Sequence, residues 1–502
     1  MLARLAELPL LVVLLGATGC FALLPATHAL IMDNHELARD FFYSGLALLL
    51  LTIMLAIATA AYTPRNASRS HLSALAGAYL VLPLAMALPM LQAIPDTSLT
   101  NAWFEMVSCF TTTGASVYAP DRLSPSVHLW RATVGWFGGF FTLLAAYAIL
   151  APLNLGGAEV ISGRVPGRGA TQITRIAEPG QRITRYAVQI FPIYWGLTTI
   201  LWVGLLMSGD DGLTALTHAM GTLSTSGISA EQGVDTAASG LPGEMLIFAF
   251  LIFAVTRRAL PGTGLADRSL PFRKDPELRV AGLLIALVPA ILVLRHWLLA
   301  APGGSLGNPP AVLSALWGGL FTAASFLTTT GYQSAHWGST TDWSGLGAPG
   351  LVLLGLTIVG GGVATTAGGV KLLRVYALFR HGERELERII HPNSLGHGGT
   401  AARRLREEGA HMAWIFFMLF AMSIAAVIAA LTLLGVAFDA ALVLAIAALT
   451  TTGPLAEVAT ADPIPYAGLS DAVKMVLAAA MVVGRLETMA LIALIAPGGW
   501  RR

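Results

Sequence analysis

Ten long, nearly charge-free apolar runs set the first constraint on this chain. They are Leu8–Met32, Phe41–Tyr62, Leu72–Leu91, Val127–Leu153, Ala187–Met207, Leu241–Thr256, Val280–Leu299, Leu351–Ile358 with its continuation, Met412–Val436 and Ala472–Ala496. A bilayer core is crossed by about 20 apolar residues in a helix. Charged residues make up only 12% of the 502, against about 25% in soluble domains. So few charges cannot cover the surface of a water-soluble protein of this size. The runs are continuous rather than alternating, which excludes a β-barrel. The expected fold class is an all-α polytopic membrane protein. The net charge of +2 excludes a strongly basic nucleic-acid binder. Cys20 and Cys109 are too few and too far apart for a disulfide framework or a cysteine metal site.

Met1–Arg4 followed by Leu8–Leu24 resembles a signal peptide, and Ala26–Ala29 behind it a cleavage site. The run Phe41–Tyr62 that follows suits a hairpin partner, so we expect the first helix to be retained. With the N-terminus placed in the cytoplasm, most of the 30 Lys and Arg residues fall on the cytoplasmic side. Examples are Arg164, Arg168 and Arg175, Arg257 and Arg258, and Lys371 through Arg406. Only Arg39, Arg122, Arg131, Arg295 and Lys474 fall outside, and Arg485 lies within a run. That asymmetry puts both termini in the cytoplasm.

Four further apolar stretches, Leu99–Phe110, Leu213–Leu223, Ala311–Leu327 and Ala440–Leu449, are too short or oddly bounded to cross and read as re-entrant half-helices. Candidate N-caps precede them at Asp96, Asp211, Asn308 and Asp439. Each stretch ends in three hydroxyl residues and a glycine. The tetrads are Thr111-Thr112-Thr113-Gly114, Ser224-Thr225-Ser226-Gly227, Thr328-Thr329-Thr330-Gly331 and Thr450-Thr451-Thr452-Gly453. A half-helix ending at mid-membrane aims its partial negative charge there. Irregular backbone survives at that depth only where it lines water or is buried in protein. Carbonyls turned inward can then replace an ion's water shell. Divalent cations usually demand carboxylates, and the tetrads contain none, so the expected ion is a weakly hydrated monovalent cation. Four copies, their glycines 113, 104 and 122 residues apart, point to one ring of four loops.

These motifs resemble the Trk/Ktr/HKT superfamily of potassium transport proteins. The likeness rests on Phe104-Glu105 leading to the first tetrad, His218 leading to the second, Thr328–Tyr332, Thr452–Pro454 with Glu457, and Gly484-Arg485-Leu486-Glu487. It is greatest to the membrane subunits of bacterial Trk systems, which also carry an N-terminal hairpin. The resemblance implies a hairpin over 1–66 and four helix–pore loop–helix units over 67–157, 158–258, 259–378 and 379–502. It also implies K+ uptake across the inner membrane of a Gram-negative cell. K+ would be held by filter carbonyls, with no cofactor on this chain. A homodimer and a cytosolic TrkA-like partner binding NAD or ATP are implied as well. Serine in the first filter of relatives accompanies sodium passage, so Gly114 favours potassium. The second tetrad departs from relatives, which are often more apolar there.

Two more segments carry expectations. Gly360, Gly361, Gly362, Gly368 and Gly369, with Thr365 and Thr366 between them, cannot make a good helix. The resemblance makes this an intramembrane gate below the filter; close helix packing is the alternative. Arg485 would cost several kcal/mol in lipid unless it meets water or a partner. The resemblance turns it toward the pore as a barrier to cations; a structural arginine is the alternative. Glu105 and Glu457 are expected chiefly to brace pore loops; raising the local cation concentration is the alternative. The leading function is potential-driven K+ uptake, and H+- or Na+-coupled symport is the other transport reading. A membrane enzyme would need an acidic or histidine cluster near one membrane face. The eleven histidines are scattered, with no H-E-x-x-H and no phosphate-binding glycine loop.

Overall fold

The computed structural model describes residues 8–60, 67–153, 155, 179–231, 233–259, 275–299, 309–344, 350–391, 400–460 and 462–487. Arg164, Arg168, Arg175, Asn308 and the end of the last apolar run lie outside them. Among the described residues the chain is helical with no strands. Six helices among the described residues are long and apolar enough to cross a membrane: Leu10–Ile31, His35–Thr59, Ser70–Ala93, Pro125–Leu153, Arg182–Ser208 and Gly409–Leu433. The other expected spans are shorter, more polar or interrupted.

Helices α1 (Leu10–Ile31) and α2 (His35–Thr59) form the expected hairpin. Gly19 and Gly45 sit at the crossing, where a Cβ on either would come 3.1 Å from the other's carbonyl oxygen. Small residues there allow the close backbone approach that binds helices in lipid. Helix α1 also docks on the rest of the protein, with His28 Nδ1 2.8 Å from Ser126 Oγ.

Next come α3 (Ala67–Ala93), the short α4 (Leu99–Phe110) and α5 (Pro125–Ala145). The pattern recurs with α6 (Pro179–Ser208), α7 (Gly212–Ser224) and α8 (Gly240–Val255), then with α9 (Pro276–Leu299) and α10 (Pro309–Leu327). After α11 (Trp337–Ser344) the next helix is broken in two, α12 (Gly350–Val359) and α13 (Leu372–Ile390). The chain closes with α14 (Thr400–Leu433), α15 (Phe438–Leu449), the single turn α16 (Leu455–Val458) and α17 (Asp471–Leu486). The four half-helices α4, α7, α10 and α15 are thus where the sequence puts them, with bounds shifted by no more than two residues.

Two of the three described caps differ from expectation. Ser98, in extended backbone, caps α4 by accepting the Asn101 N–H, while Asp96 takes a left-handed turn conformation before it. Asp439 lies inside the first turn of α15, behind Ala437 at the cap, where its charge still favours the helix N-terminus. Asp211 holds the cap position of α7 without a side-chain bond.

Burial separates inner from outer helices. In Pro125–Leu153, 89% of the apolar window is buried, against 17% in Gly409–Leu433. The inner helix approaches the half-helix ends through glycine. A Cβ on Gly138 would lie 2.0 Å from Phe110 O, and one on Gly139 would lie 2.8 Å from Ser224 Cα. Gly484 of α17 does the same at Leu449 O.

Candidate functional site

All four half-helices end in one local structure. The N–H of the third tetrad residue bonds the carbonyl five residues back: Thr113 to Ser108, Ser226 to Gly221, Thr330 to Ser325, Thr452 to Ala447, at 2.8–2.9 Å. The second residue's N–H bonds three back, as in Thr112 to Cys109. This is the Schellman ending, which normally takes a left-handed glycine. Here Thr112, Thr225, Thr329 and Thr451 occupy that place, with φ of 55°, 54°, 58° and 55°. A β-branched residue is an outlier there, and the left-handed form costs about 1–2 kcal/mol. Four repetitions of the same strain mark the loops as constrained by more than helix termination.

The flanking hydroxyls hold this shape. The first of each tetrad donates to the carbonyl four residues back, as in Thr111 Oγ1 to Val107 O at 2.7 Å and Thr450 Oγ1 to Ile446 O at 2.7 Å. It also meets the third hydroxyl, at 2.8 Å in Thr111–Thr113, 2.9 Å in Ser224–Ser226, 3.1 Å in Thr328–Thr330 and 3.3 Å in Thr450–Thr452. In the second tetrad serine hydroxyls make the same contacts.

The glycines bring neighbouring loops together. A Cβ on Gly114 would lie 2.0 Å from Ser226 O, and one on Gly227 would lie 2.2 Å from Thr330 O. On Gly331 it would lie 2.9 Å from Pro454, and on Gly453 2.2 Å from Ala115 N. First loop touches second, second third, third fourth, and fourth first, so the ring is closed. Gly453 N–H also donates to Thr113 O at 2.6 Å. Gly114, Gly227 and Gly331 have positive φ, whereas Gly453 does not; there the close approach alone requires glycine.

The segment Gly360–Gly369 leaves the helical path between α12 and α13 and is buried throughout. Its neck is closed by Val370 N–H to Ile358 O and Lys371 N–H to Val359 O. Its tip lies against the half-helix ends. Gly368 N–H donates to Thr329 Oγ1 at 2.7 Å, and Thr366 Oγ1 donates to Leu223 O at 3.3 Å. A Cβ on Gly368 would lie 2.1 Å from Thr450 O. Gly362 N–H and Thr365 Oγ1 bond Ala254 O, and Val363 N–H donates to Glu277 Oε1 at 2.8 Å. The loop therefore sits directly under the ring.

Beside it is a cavity with about 30 Å³ open to water, lined by Tyr79, Thr142, Gly368, Lys371, Arg485 and Glu487 among others. Arg485 is 7% exposed. Its Nε donates to Thr142 Oγ1 at 2.9 Å, and its Nη2 has no hydrogen-bond partner among the described residues. The sequence places Arg485 midway along a long helix; instead α17 stops at Leu486 and Glu487 turns to φ 61°. That turn sends the Glu487 carboxylate to Arg374, 2.8 Å away, whose guanidinium also lies 3.6 Å from the Phe416 ring centre. From sequence Arg374 reads as one more cytoplasmic charge, since nothing local tells of a partner 113 residues on.

Glu105 is fully buried; Arg131 Nε donates to its Oε1 at 2.7 Å and Val117 N–H to its Oε2 at 2.9 Å. Arg131, read from sequence as an outer-loop charge, is buried in α5. Glu457 is exposed and makes no such brace. No group of three or more metal-ligating side chains occurs among the described residues.

The family model described as "TrkH: Cation transport protein" matches residues 246–499. The chain belongs to the TrkH family. Its similarity extends over most of its length to the Trk system potassium uptake protein TrkH of Vibrio parahaemolyticus, 29% identical over 84% of both chains. It is 28% identical to Escherichia coli TrkH, over 89% of this chain and 91% of that one. TrkI of Halomonas elongata is 29% identical, over 83% and 80% respectively. The crystal structure of the potassium transporter TrkH from Vibrio parahaemolyticus superposes with a TM-score of 0.80, at 25% identity, over the whole of both chains. The TrkH relatives are uptake proteins, a transport function and not an enzymatic one.

Proposed function

We propose that this protein takes up potassium across the bacterial inner membrane. The observation that carries the reading is the closed ring of four loops at the convergence of four half-helix C-termini. The backbone oxygens of Thr111–Gly114, Ser224–Gly227, Thr328–Gly331 and Thr450–Gly453 supply the ion's ligands in place of water. The partial negative charge of each half-helix end favours a cation there. The outer two hydroxyls of each tetrad stiffen the ring, and the glycines let the loops touch. The units 67–157, 158–258, 259–378 and 379–502 each contribute one loop, beside the hairpin 1–66.

Gly360–Gly369 is the gate. It rests on the ring through bonds from Thr366 and Gly368, which can break without disturbing the tetrads' own bonds. Arg485 adds positive charge beside the cavity and opposes cation passage until the loop moves. Both termini lie in the cytoplasm, where a TrkA-like NAD- or ATP-binding partner acts on a homodimer of this chain. Membrane potential alone drives influx, at about 2.3 kcal/mol per charge per 100 mV.

Rubidium uptake into proteoliposomes under an imposed potential tests the reading. Uptake that responds to potential and is competed by potassium better than by sodium is the expected result. Folded protein without potential-dependent uptake refutes it.

A further inference from the structure

The mouth of the ring holds buried charges that the proposed pathway leaves unused. On the side where the half-helices begin, the buried charged side chains are Glu105, Arg131, Asp210, Glu244 and Lys474. Glu105 is neutralised by Arg131, whose Nη2 is 2.7 Å from its Oε1. Asp210 accepts the Ser239 N–H and faces His218 at 3.9 Å. Lys474 donates to Asn101 Oδ1 at 2.9 Å and has no acidic partner among the described residues. Glu244, on α8, is 1% exposed and has no cationic partner among the described residues.

Glu244 is nonetheless fully engaged. Its Oε1 accepts from Ala335 N–H at 2.7 Å and Ser334 Oγ at 3.0 Å. Its Oε2 accepts from Trp317 Nε1 at 2.6 Å and Ser334 Oγ at 2.8 Å. Each oxygen accepts one N–H, and the single Ser334 hydroxyl proton is shared between them, so the side chain is surrounded by donors, the setting that favours a carboxylate. The partners matter by position. Ser334 lies three residues beyond the filter glycine Gly331, just as Val117, held by Glu105, lies three beyond Gly114. The first and third loops face each other across the ring. Both are braced by a buried carboxylate, but only the first brace is charge-neutral.

We propose that Glu244 is a positioning residue for the transported cation: it clamps the chain leaving the third loop and sets an unneutralised negative charge behind the outer mouth of the ring. The inference rests on the potassium-pathway reading. The charge raises cation occupancy without choosing between cations of equal charge. Its counterpart across the ring is Lys474, which acts with opposite sign.

The test is rubidium and sodium uptake into proteoliposomes containing the full chain. Glu244→Gln is expected to raise the KM for both ions by a similar factor, about tenfold for a charge near 10 Å at an effective dielectric near 20. Maximal rate and ion preference stay near wild type. Glu244→Asp, which keeps the charge, restores most of the affinity. Glu244→Ala also loses ion preference, because the clamp is gone. Lys474→Met lowers KM, a reversal of sign that a general loss of packing does not produce. An unchanged KM in a correctly assembled Glu244→Gln protein overturns the proposal. So does a rise in KM in Lys474→Met, which is measurable even where Glu244→Gln does not assemble. If wild type takes up no rubidium, the pathway reading fails by itself. Thermal stabilisation by rubidium in detergent then still reads the charge: it should weaken in Glu244→Gln and strengthen in Lys474→Met, and equal stabilisation overturns the assignment.

Discussion

Gly114 and Thr112 sit two residues apart and answer different demands. At Gly114 the backbone is left-handed and a Cβ would strike Ser226 O at 2.0 Å. Gly114→Ser must therefore push the first loop from the second and distort the ring proposed to hold the ion. We expect rubidium-over-sodium preference to fall at least tenfold in flux competition, with the protein still assembling. Preference equal to wild type contradicts the close-contact role. Thr112 is also left-handed, but its hydroxyl has no hydrogen-bond partner among the described residues. Thr112→Gly removes a backbone cost of about 1–2 kcal/mol and adds back some unfolded-state entropy. Melting temperature should hold or rise while ion preference falls. A clear drop in melting temperature means that the threonine is kept for stability instead.

At the scale of elements, the Gly360–Gly369 loop, the proposed gate, is held to the ring by few bonds. Thr329→Val keeps the side-chain shape but leaves the Gly368 N–H without its acceptor. A buried unsatisfied donor costs about 1–3 kcal/mol, all of it charged to the state in which the loop is docked. Basal rubidium flux should rise by about tenfold or more at 1.4 kcal/mol per decade, while ion preference changes little. Flux equal to wild type in a folded Thr329→Val protein returns the loop to a packing role. The half-helices themselves were legible in sequence because length, apolar content and a hydroxyl-glycine ending mark them locally. Their caps at Ser98 and Ala437 were less so, since several polar residues compete within one turn and only backbone geometry selects among them.

For the whole molecule, charge asymmetry and the driving force make one joint prediction. A single cation moving down the potential without a coupled ion accumulates by about fiftyfold per 100 mV, from 2.3 kcal/mol per charge. The rubidium ratio across sealed vesicles at steady state should reach that value and not exceed it. A ratio well above it shows coupling to a second ion and supports symport.

Sequence by itself determined the membrane class, the four half-helices, the four tetrads and the glycine-rich break, because each is written in consecutive residues. A run of about 20 apolar side chains must seek lipid, and five glycines in ten residues must leave the helix, whatever surrounds them. Tertiary structure decided everything that depends on which loop meets which. The ring closes because Gly453 reaches Ala115, more than 300 positions away in the chain. Arg374 finds Glu487, Glu244 finds Ser334, and the Gly360–Gly369 loop finds Thr329 by the same kind of long-range packing. A charge in the sequence shows that a partner is needed in an apolar medium, but only the folded chain shows whether that partner is another charge, as for Glu105, or neutral donors alone, as for Glu244.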